Sequence, residues 1–237
     1  DFQVVSYEDN GQVVSSIYCK PSASVLTGKG ILILPSWIGI GEHERQVAVE
    51  LASLGFHAMI ADIYGSGRYP RDKMEAAEIS GFYKTHVDQY RHRIRLALGE
   101  LVRAGADADK VIIIGYCFGG TGALEAARAN MPVRGVVSFH GGLRRDESRP
   151  VGKIHPKVLV LHGEDDFLVP EKDIVAFRKE MELAGADWEM TCYAGAAHAF
   201  TDPAAGNDKS TGAAYNQEAD RQSWQDFLTF ERQVMIS

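Results

Sequence analysis

Cysteine is scarce in this chain: Cys19, Cys117 and Cys192 are the only three in 237 residues. None stands in a C-x-x-C pair or at a Cys/His spacing suited to zinc, and an odd, low count builds no disulfide framework. A reducing, cytoplasmic compartment is therefore the expectation. The first residue is Asp1 rather than Met, which leaves a removed export signal, and so a periplasmic or secreted location, as the alternative. Long apolar runs are lacking too. Residues 30–34 and 111–115 are the longest, far too short for a helix to cross a bilayer. Positive charge is in deficit, with 25 Lys and Arg against 32 Asp and Glu and a net charge of -7. With no basic run, neither a nucleic acid nor an anionic membrane is an expected partner. No repeat or low-complexity segment breaks the chain, and the 45% hydrophobic fraction is ample for a core.

What is present is an alternation of short strands and helices. Residues 2–6 and 13–18 flank Asp9-Asn10-Gly11, a turn signal that predicts an antiparallel hairpin at a sheet edge. Continuous apolar runs at 31–34, 57–61, 111–114, 133–139, 158–161 and 188–193 read as buried strands. Helices are predicted at 42–54, 87–104, 121–129, 171–184 and 215–230, the first, second and fourth stopped by Gly55, Gly105 and Gly185. The order implies a mostly parallel central sheet with helices on both faces. Residues 64–71 and 202–212 read as surface loops, and the whole chain, 1–237, as one α/β domain.

The most informative segment is Val111-Ile112-Ile113-Ile114-Gly115-Tyr116-Cys117-Phe118-Gly119-Gly120. A buried strand runs into Gly-x-Cys-x-Gly and then into a helix rich in small residues. This is the nucleophile-elbow pattern G-x-S-x-G with sulfur in place of oxygen. Such a tight turn presents the nucleophile at the carboxyl end of the sheet, where the next backbone N–H, that of Phe118, faces an oxyanion. A dinucleotide fingerprint needs glycine where Cys117 stands, and the lysine of a phosphate-binding loop is missing. A buried structural cysteine is the remaining competitor.

Two further strands end in polar loops. Residues 158–161 lead into His162-Gly163-Glu164-Asp165-Asp166-Phe167-Leu168-Val169-Pro170, and 188–193 into Ala194-Gly195-Ala196-Ala197-His198-Ala199-Phe200. The order nucleophile, acid, histidine is that of α/β-hydrolases. Together with residues 61–65, 138–142 and 214–224, these stretches resemble the dienelactone hydrolase family over roughly residues 12–230. The resemblance implies an α/β-hydrolase fold and a carboxylic ester hydrolase or lactonase acting on a small-molecule substrate. Its triad would be Cys117 as nucleophile, His198 as base and Asp166 as orienting acid, with Asp165 and Glu164 as nearby alternatives. It also implies a second oxyanion donor at the Trp37 N–H, and a pocket that includes Ser36, Ile38, His140, Phe200 and Asp202.

The chain departs from the best-known members twice. Ser36 stands where they carry a glutamate that holds the resting thiol protonated, and Asp202 where they carry an arginine that grips a substrate carboxylate. Glu42 and Glu44 are nearby acids but read as first-turn helix residues, and dienelactone itself is a poor fit. The chemistry requires no metal and no organic cofactor, and the remaining histidines show no metal spacing. Thioester hydrolysis or acyl transfer at the same cysteine is the enzymatic alternative; a catalytically silent binding protein of this fold is the alternative outside enzymes. The expected assembly is a monomer or small homo-oligomer.

Overall fold

A computed structural model of the chain describes residues 2–22 and 24–236. Strands β1 (Phe2–Asp9) and β2 (Gln12–Cys19) form the predicted hairpin, longer than expected at both ends. Asp9 pairs with Gln12 across a two-residue loop in which Asn10 and Gly11 take φ of 49° and 83°, the left-handed pair that such a turn demands. The other strands are β3 (Gly30–Leu34), β4 (His57–Ile60), β5 (Val111–Tyr116), β6 (Gly135–Phe139), β7 (Lys157–Gly163) and β8 (Trp188–Tyr193). The eight-stranded sheet runs β1-β2-β4-β3-β5-β6-β7-β8. β2 meets β4 antiparallel, and every later pairing is parallel. This is the α/β-hydrolase architecture, mostly parallel with an antiparallel hairpin at one edge.

Six α-helices flank the sheet among the described residues: α1 (Glu42–Ser53), α2 (Lys73–Thr85), α3 (Val87–Arg103), α4 (Phe118–Arg128), α5 (Glu171–Leu183) and α6 (Gln217–Met235). Strands β3 and β5 are wholly buried because each face is covered. Side chains of alternate parity divide into two cores. Ile31, Ile33, Ile112 and Ile114 pack with Val47 and Leu51 of α1 and Phe227 and Phe230 of α6. Leu32, Leu34, Val111 and Ile113 pack on the other side with Ile94 and Leu101 of α3, Leu124 of α4 and Phe177 of α5. No helix of the described residues is long and apolar enough to cross a membrane.

Several boundaries differ from the sequence reading. Helix α2 has no counterpart in it: only Ala76, Ser80 and Tyr83 are buried, and Gly81 interrupts its interior, so no broad apolar stripe announces it. Helix α4 begins at Phe118 rather than 121, since the turn at Cys117 leads straight into it. Strand β6 starts at Gly135 rather than 133. The last helix is displaced to Gln217–Met235, capped by the Asn216 side chain on the Ala219 N–H and extended because Val234 and Met235 are buried. In the segment expected as a surface loop at 64–71, Tyr64 is only 4% exposed; it belongs to the core under the site. The 202–212 loop is largely exposed and holds two short 3₁₀ turns, Pro203–Ala205 and Lys209–Thr211.

Candidate active site

The carboxyl ends of β3, β5, β7 and β8 bring the four predicted segments together. Cys117, between β5 and α4, has φ 58° and ψ -117°, a conformation that side chains other than glycine rarely adopt and that costs on the order of 1–3 kcal/mol. The glycines around it are there for space. A Cβ on Gly115 would lie 1.8 Å from the Gly119 carbonyl oxygen, and one on Gly119 would lie 2.0 Å from that of Leu34. The turn can close only with both positions bare. The Cys117 N–H donates to Phe139 O at 2.9 Å, tying the elbow to the end of β6.

Cys117 Sγ lies 2.9 Å from His198 Nε2, and His198 Nδ1 lies 2.8 Å from Asp166 Oδ2. The Asp166 side chain is fully buried and also accepts the Leu168 N–H at Oδ1, 3.1 Å away. Asp165 instead pairs with Lys209, and Glu164 is exposed, so of the three acids only Asp166 meets the histidine. The histidine loop is held from behind: His198 O accepts the Ala214 N–H at 3.1 Å, and Phe200 O accepts the Asn216 N–H at 3.0 Å. Burial alone would depress the His198 pKa. Interaction with Cys117 and Asp166 outweighs burial and pushes it up to about 10.

The two oxyanion-donor candidates of the sequence lie in different elements. Gly120 and Thr121 N–H groups are both taken by Cys117 O, whereas the Phe118 N–H lies in the first turn of α4, where a helix has no acceptor of its own. Trp37 is half-buried in the loop after β3, and neighbouring Ile38 is exposed. Ser36 donates its N–H toward Glu44 Oε2 at 3.4 Å, and Gly41 donates to Glu44 Oε1 at 2.9 Å. Glu44 is indeed in the first turn of its helix, but it is 2% exposed and braces the whole 36–41 loop.

The remaining pocket candidates divide. His140 and Phe200 are buried, with Phe200 at 0% exposure, so both stand behind the site rather than on its surface. His140 Nε2 bonds Thr201 Oγ1 at 2.9 Å, and its ring edge meets those of His198 at 5.5 Å and Phe200 at 5.0 Å. Burial, reinforced by His198 and His43, holds its pKa well below the ordinary range, and the ring is neutral. Asp202 is half-buried and accepts the Ala204 N–H at 2.9 Å, capping a 3₁₀ turn. Among the described residues, no group of three or more His, Cys, Asp or Glu is placed to hold a metal. Two contacts have no local signature in the sequence: Tyr64 Oη donates to Trp37 O at 2.7 Å, and Tyr90 Oη to Phe118 O at 2.8 Å.

The family pattern described as dienelactone hydrolase matches residues 15–235. A curated relative, a probable 2-oxo-3-(5-oxofuran-2-ylidene)propanoate lactonase from Bradyrhizobium sp, is 28% identical over 94% of this chain and 90% of its own length. Among solved structures, the chain is similar to one titled m3DLH, with TM-score 0.93 and 33% identity over 99% of this chain and 98% of that one. It is also similar to a dienelactone hydrolase-like promiscuous phosphotriesterase from metagenomic libraries, with TM-score 0.89 and 31% identity over 99% and 98% of the two chains.

Proposed function

The chain belongs to the dienelactone hydrolase family, and we propose from that premise that it cleaves carboxylic esters or lactones with Cys117 as nucleophile, His198 as acid and base, and Asp166 as the group orienting His198. The observation that supports this most directly is the continuous chain of contacts, 2.9 Å from Sγ to Nε2 and 2.8 Å from Nδ1 to Oδ2, on a left-handed elbow at the end of a buried strand. Residues 1–237 are read as one catalytic unit.

In the first half-reaction the thiolate adds to the carbonyl carbon, and the π pair moves onto oxygen, which the Phe118 and Trp37 N–H groups receive. The tetrahedral adduct then expels the alkoxide, which takes the Nε2 proton of His198 and leaves an acyl thioester on Cys117. In a lactone the alcohol stays tethered to the acyl group. Neutral His198 next removes a proton from water as its oxygen attacks the thioester. Collapse of that adduct breaks the S–C bond and restores the thiolate beside the imidazolium. Each hydrogen-bond donor of such a hole typically contributes a factor of about 10²–10³.

The preferred substrates are neutral, because Asp202 places a negative charge where the family's carboxylate-gripping arginine would stand. A phosphotriester is a second substrate class for the same thiolate, favoured by 31% identity along nearly the whole chain to the structure titled a promiscuous phosphotriesterase. Turnover of p-nitrophenyl acetate tests the main reading. Cys117→Ala should abolish it and leave no acylated peptide, whereas Cys19→Ala and Cys192→Ala should keep most of it. Cys19 is buried in β2 and Cys192 is exposed on the edge strand β8. Wild-type turnover in folded Cys117→Ala refutes the assignment.

A further inference from the structure

We propose that Tyr64 and Tyr90 are positioning residues that act as a paired clamp, one phenol hydroxyl fixing each residue of the oxyanion hole. The proposal rests on the nucleophile and hole assigned above and adds how the two N–H groups are held in place before substrate arrives.

Trp37 and Phe118 come from different elements, the loop after β3 and the first turn of α4; Gly119 packs against the Leu34 and Pro35 carbonyls where the two elements meet, short of Trp37 itself. The two tyrosines hold the hole residues directly. Tyr64 Oη donates to Trp37 O at 2.7 Å, and Tyr90 Oη donates to Phe118 O at 2.8 Å. The phenols are themselves locked in one closed aromatic group. Tyr90 stacks on Phe118 at 4.6 Å with rings 4° apart, and Tyr64 lies against the same Phe118 at 5.8 Å. Tyr83 completes the circuit, 5.8 Å from Tyr64 and 6.0 Å from Tyr90. A shift of either hole residue therefore moves a ring that the other residue also contacts.

The Tyr90 hydroxyl has a further tie. Its oxygen also packs against the backbone of Gly122, one helical turn on from Phe118 in α4. Only glycine leaves room for this. A Cβ at position 122 would lie 2.4 Å from Tyr90 Oη. Both phenols are buried, and burial holds both pKa values far above the ordinary tyrosine range. The hydroxyls thus remain donors at any working pH. Preorganised donors are effective because they need no reorganisation as charge develops on oxygen.

The experiment compares Tyr64→Phe, Tyr90→Phe and Gly122→Ala with wild type in p-nitrophenyl acetate turnover. Affinity for a trifluoromethyl ketone is read in parallel, because thiolate addition to that ketone gives a tetrahedral oxyanion in the hole. Each variant should lose ~10-fold or more in kcat with little change in KM, and ketone affinity should fall by a similar factor, since the hole acts only on the oxyanion. Tyr83→Phe, in the same ring circuit but bonded to neither hole residue, should keep wild-type kcat. The Gly122→Ala arm tests the clamp without touching a phenol, should one Phe variant fold poorly. Wild-type kcat in both Phe variants, or a kcat loss with unchanged ketone affinity, overturns the clamp. If Cys117→Ala abolishes turnover in that same experiment, the Cys117 assignment stands regardless; if it does not, that assignment falls and the clamp falls with it.

Discussion

Asp166→Asn probes the site at its most enclosed point. The side chain is fully buried, and its two oxygens have distinct partners: Oδ1 takes the Leu168 N–H at 3.1 Å and Oδ2 faces His198 Nδ1 at 2.8 Å. Asparagine is nearly isosteric, but only its carbonyl oxygen can keep the Leu168 bond, which turns the amide NH₂ toward His198. Nδ1 must then accept, the ring proton moves to Nε2, and the nitrogen facing sulfur can no longer take the thiol proton. Wrong-tautomer variants of triads lose about 10⁴ in kcat. At ~1.4 kcal/mol per decade, a loss of 10³–10⁴ is roughly 4–5.5 kcal/mol of transition-state stabilisation. The substitution also removes a carboxylate that raises the His198 pKa, leaving burial to pull it down from about 10. The sign of the pH effect follows. A histidine whose folded pKa exceeds its unfolded value of about 6.5 stabilises the fold fully below pH ~6.5 and loses that contribution as pH rises through about 10. The His198 share of the stability gap between wild type and Asp166→Asn is therefore widest below pH ~6.5 and closes toward pH 10. Stopped-flow turnover across pH and NMR titration of the His198 ring measure both effects, and the alkaline limb of kcat should move to lower pH in the variant. Asp165→Asn, which disturbs only the pairing with Lys209, is the control. An Asp166→Asn enzyme within ~10-fold of wild type, or a larger loss in Asp165→Asn, refutes the reasoning.

Two other substitutions separate stability from specificity. Arg128 is 6% exposed and bonds Glu180 twice, at 2.7 and 2.8 Å, and Glu125 at 2.9 Å. Arg128→Met strands the buried Glu180 carboxylate, while Glu125 keeps Arg91, and should cost about 3–5 kcal/mol, a fall in Tm of roughly 6–20 °C for a chain of this size, read by thermal melting; a fall under ~2 °C refutes it. Asp202→Arg should improve kcat/KM selectively for the carboxylate-bearing member of a matched lactone pair, by on the order of 10²-fold if the charges lie ~10 Å apart at an effective dielectric near 20, where each of the two charge units changed is worth ~1.7 kcal/mol. Asp202→Asn, which keeps an oxygen for the Ala204 N–H, should give an intermediate ratio, and a wild type that already favours the anionic lactone refutes the role given to Asp202.

Much of the framework was legible because its signals are local. The hairpin turn is written in Asn10-Gly11, and the strand order of nucleophile, acid and histidine puts each at the end of its own strand, where a parallel sheet gathers its loops. Gly55, Gly105 and Gly185 ended helices as expected, each with positive φ just past the last helical turn. Helix α2 was invisible because it buries so little. Tyr64 and Tyr90 were invisible as site residues for a different reason: their partners lie 27 and 28 positions away, and only the packing of α3 and of the post-β4 loop against the elbow brings them near. A long-range contact between a common side chain and a backbone carbonyl leaves no motif. Phe200, by contrast, was over-read. Its place two residues after His198 suggested the pocket, yet the loop turns at Ala199, φ 59°, and sends the ring into the core.

The departure at Ser36 takes a physical form once Glu44 is located. A serine hydroxyl is no base, and the buried acid of the following helix, Glu44, has both oxygens spent on the N–H groups of Gly41 and Ser36. Glu44 thereby holds the loop that carries Trp37, a mechanical task rather than a protonic one. The group bonded to the thiol is His198, at 2.9 Å, with the buried Asp166 behind it. On the proposed mechanism, a site wired this way needs no carboxylate displaced by substrate before the nucleophile meets its base. Discrimination among substrates then falls to what surrounds the pair: two N–H donors braced by Glu44 and the buried tyrosines, an exposed Ile38 at the rim, and the negative charge of Asp202. Of these, Ile38 and Asp202 meet the shape and charge of the acyl group, and specificity is therefore to be sought in loop residues outside the proposed triad.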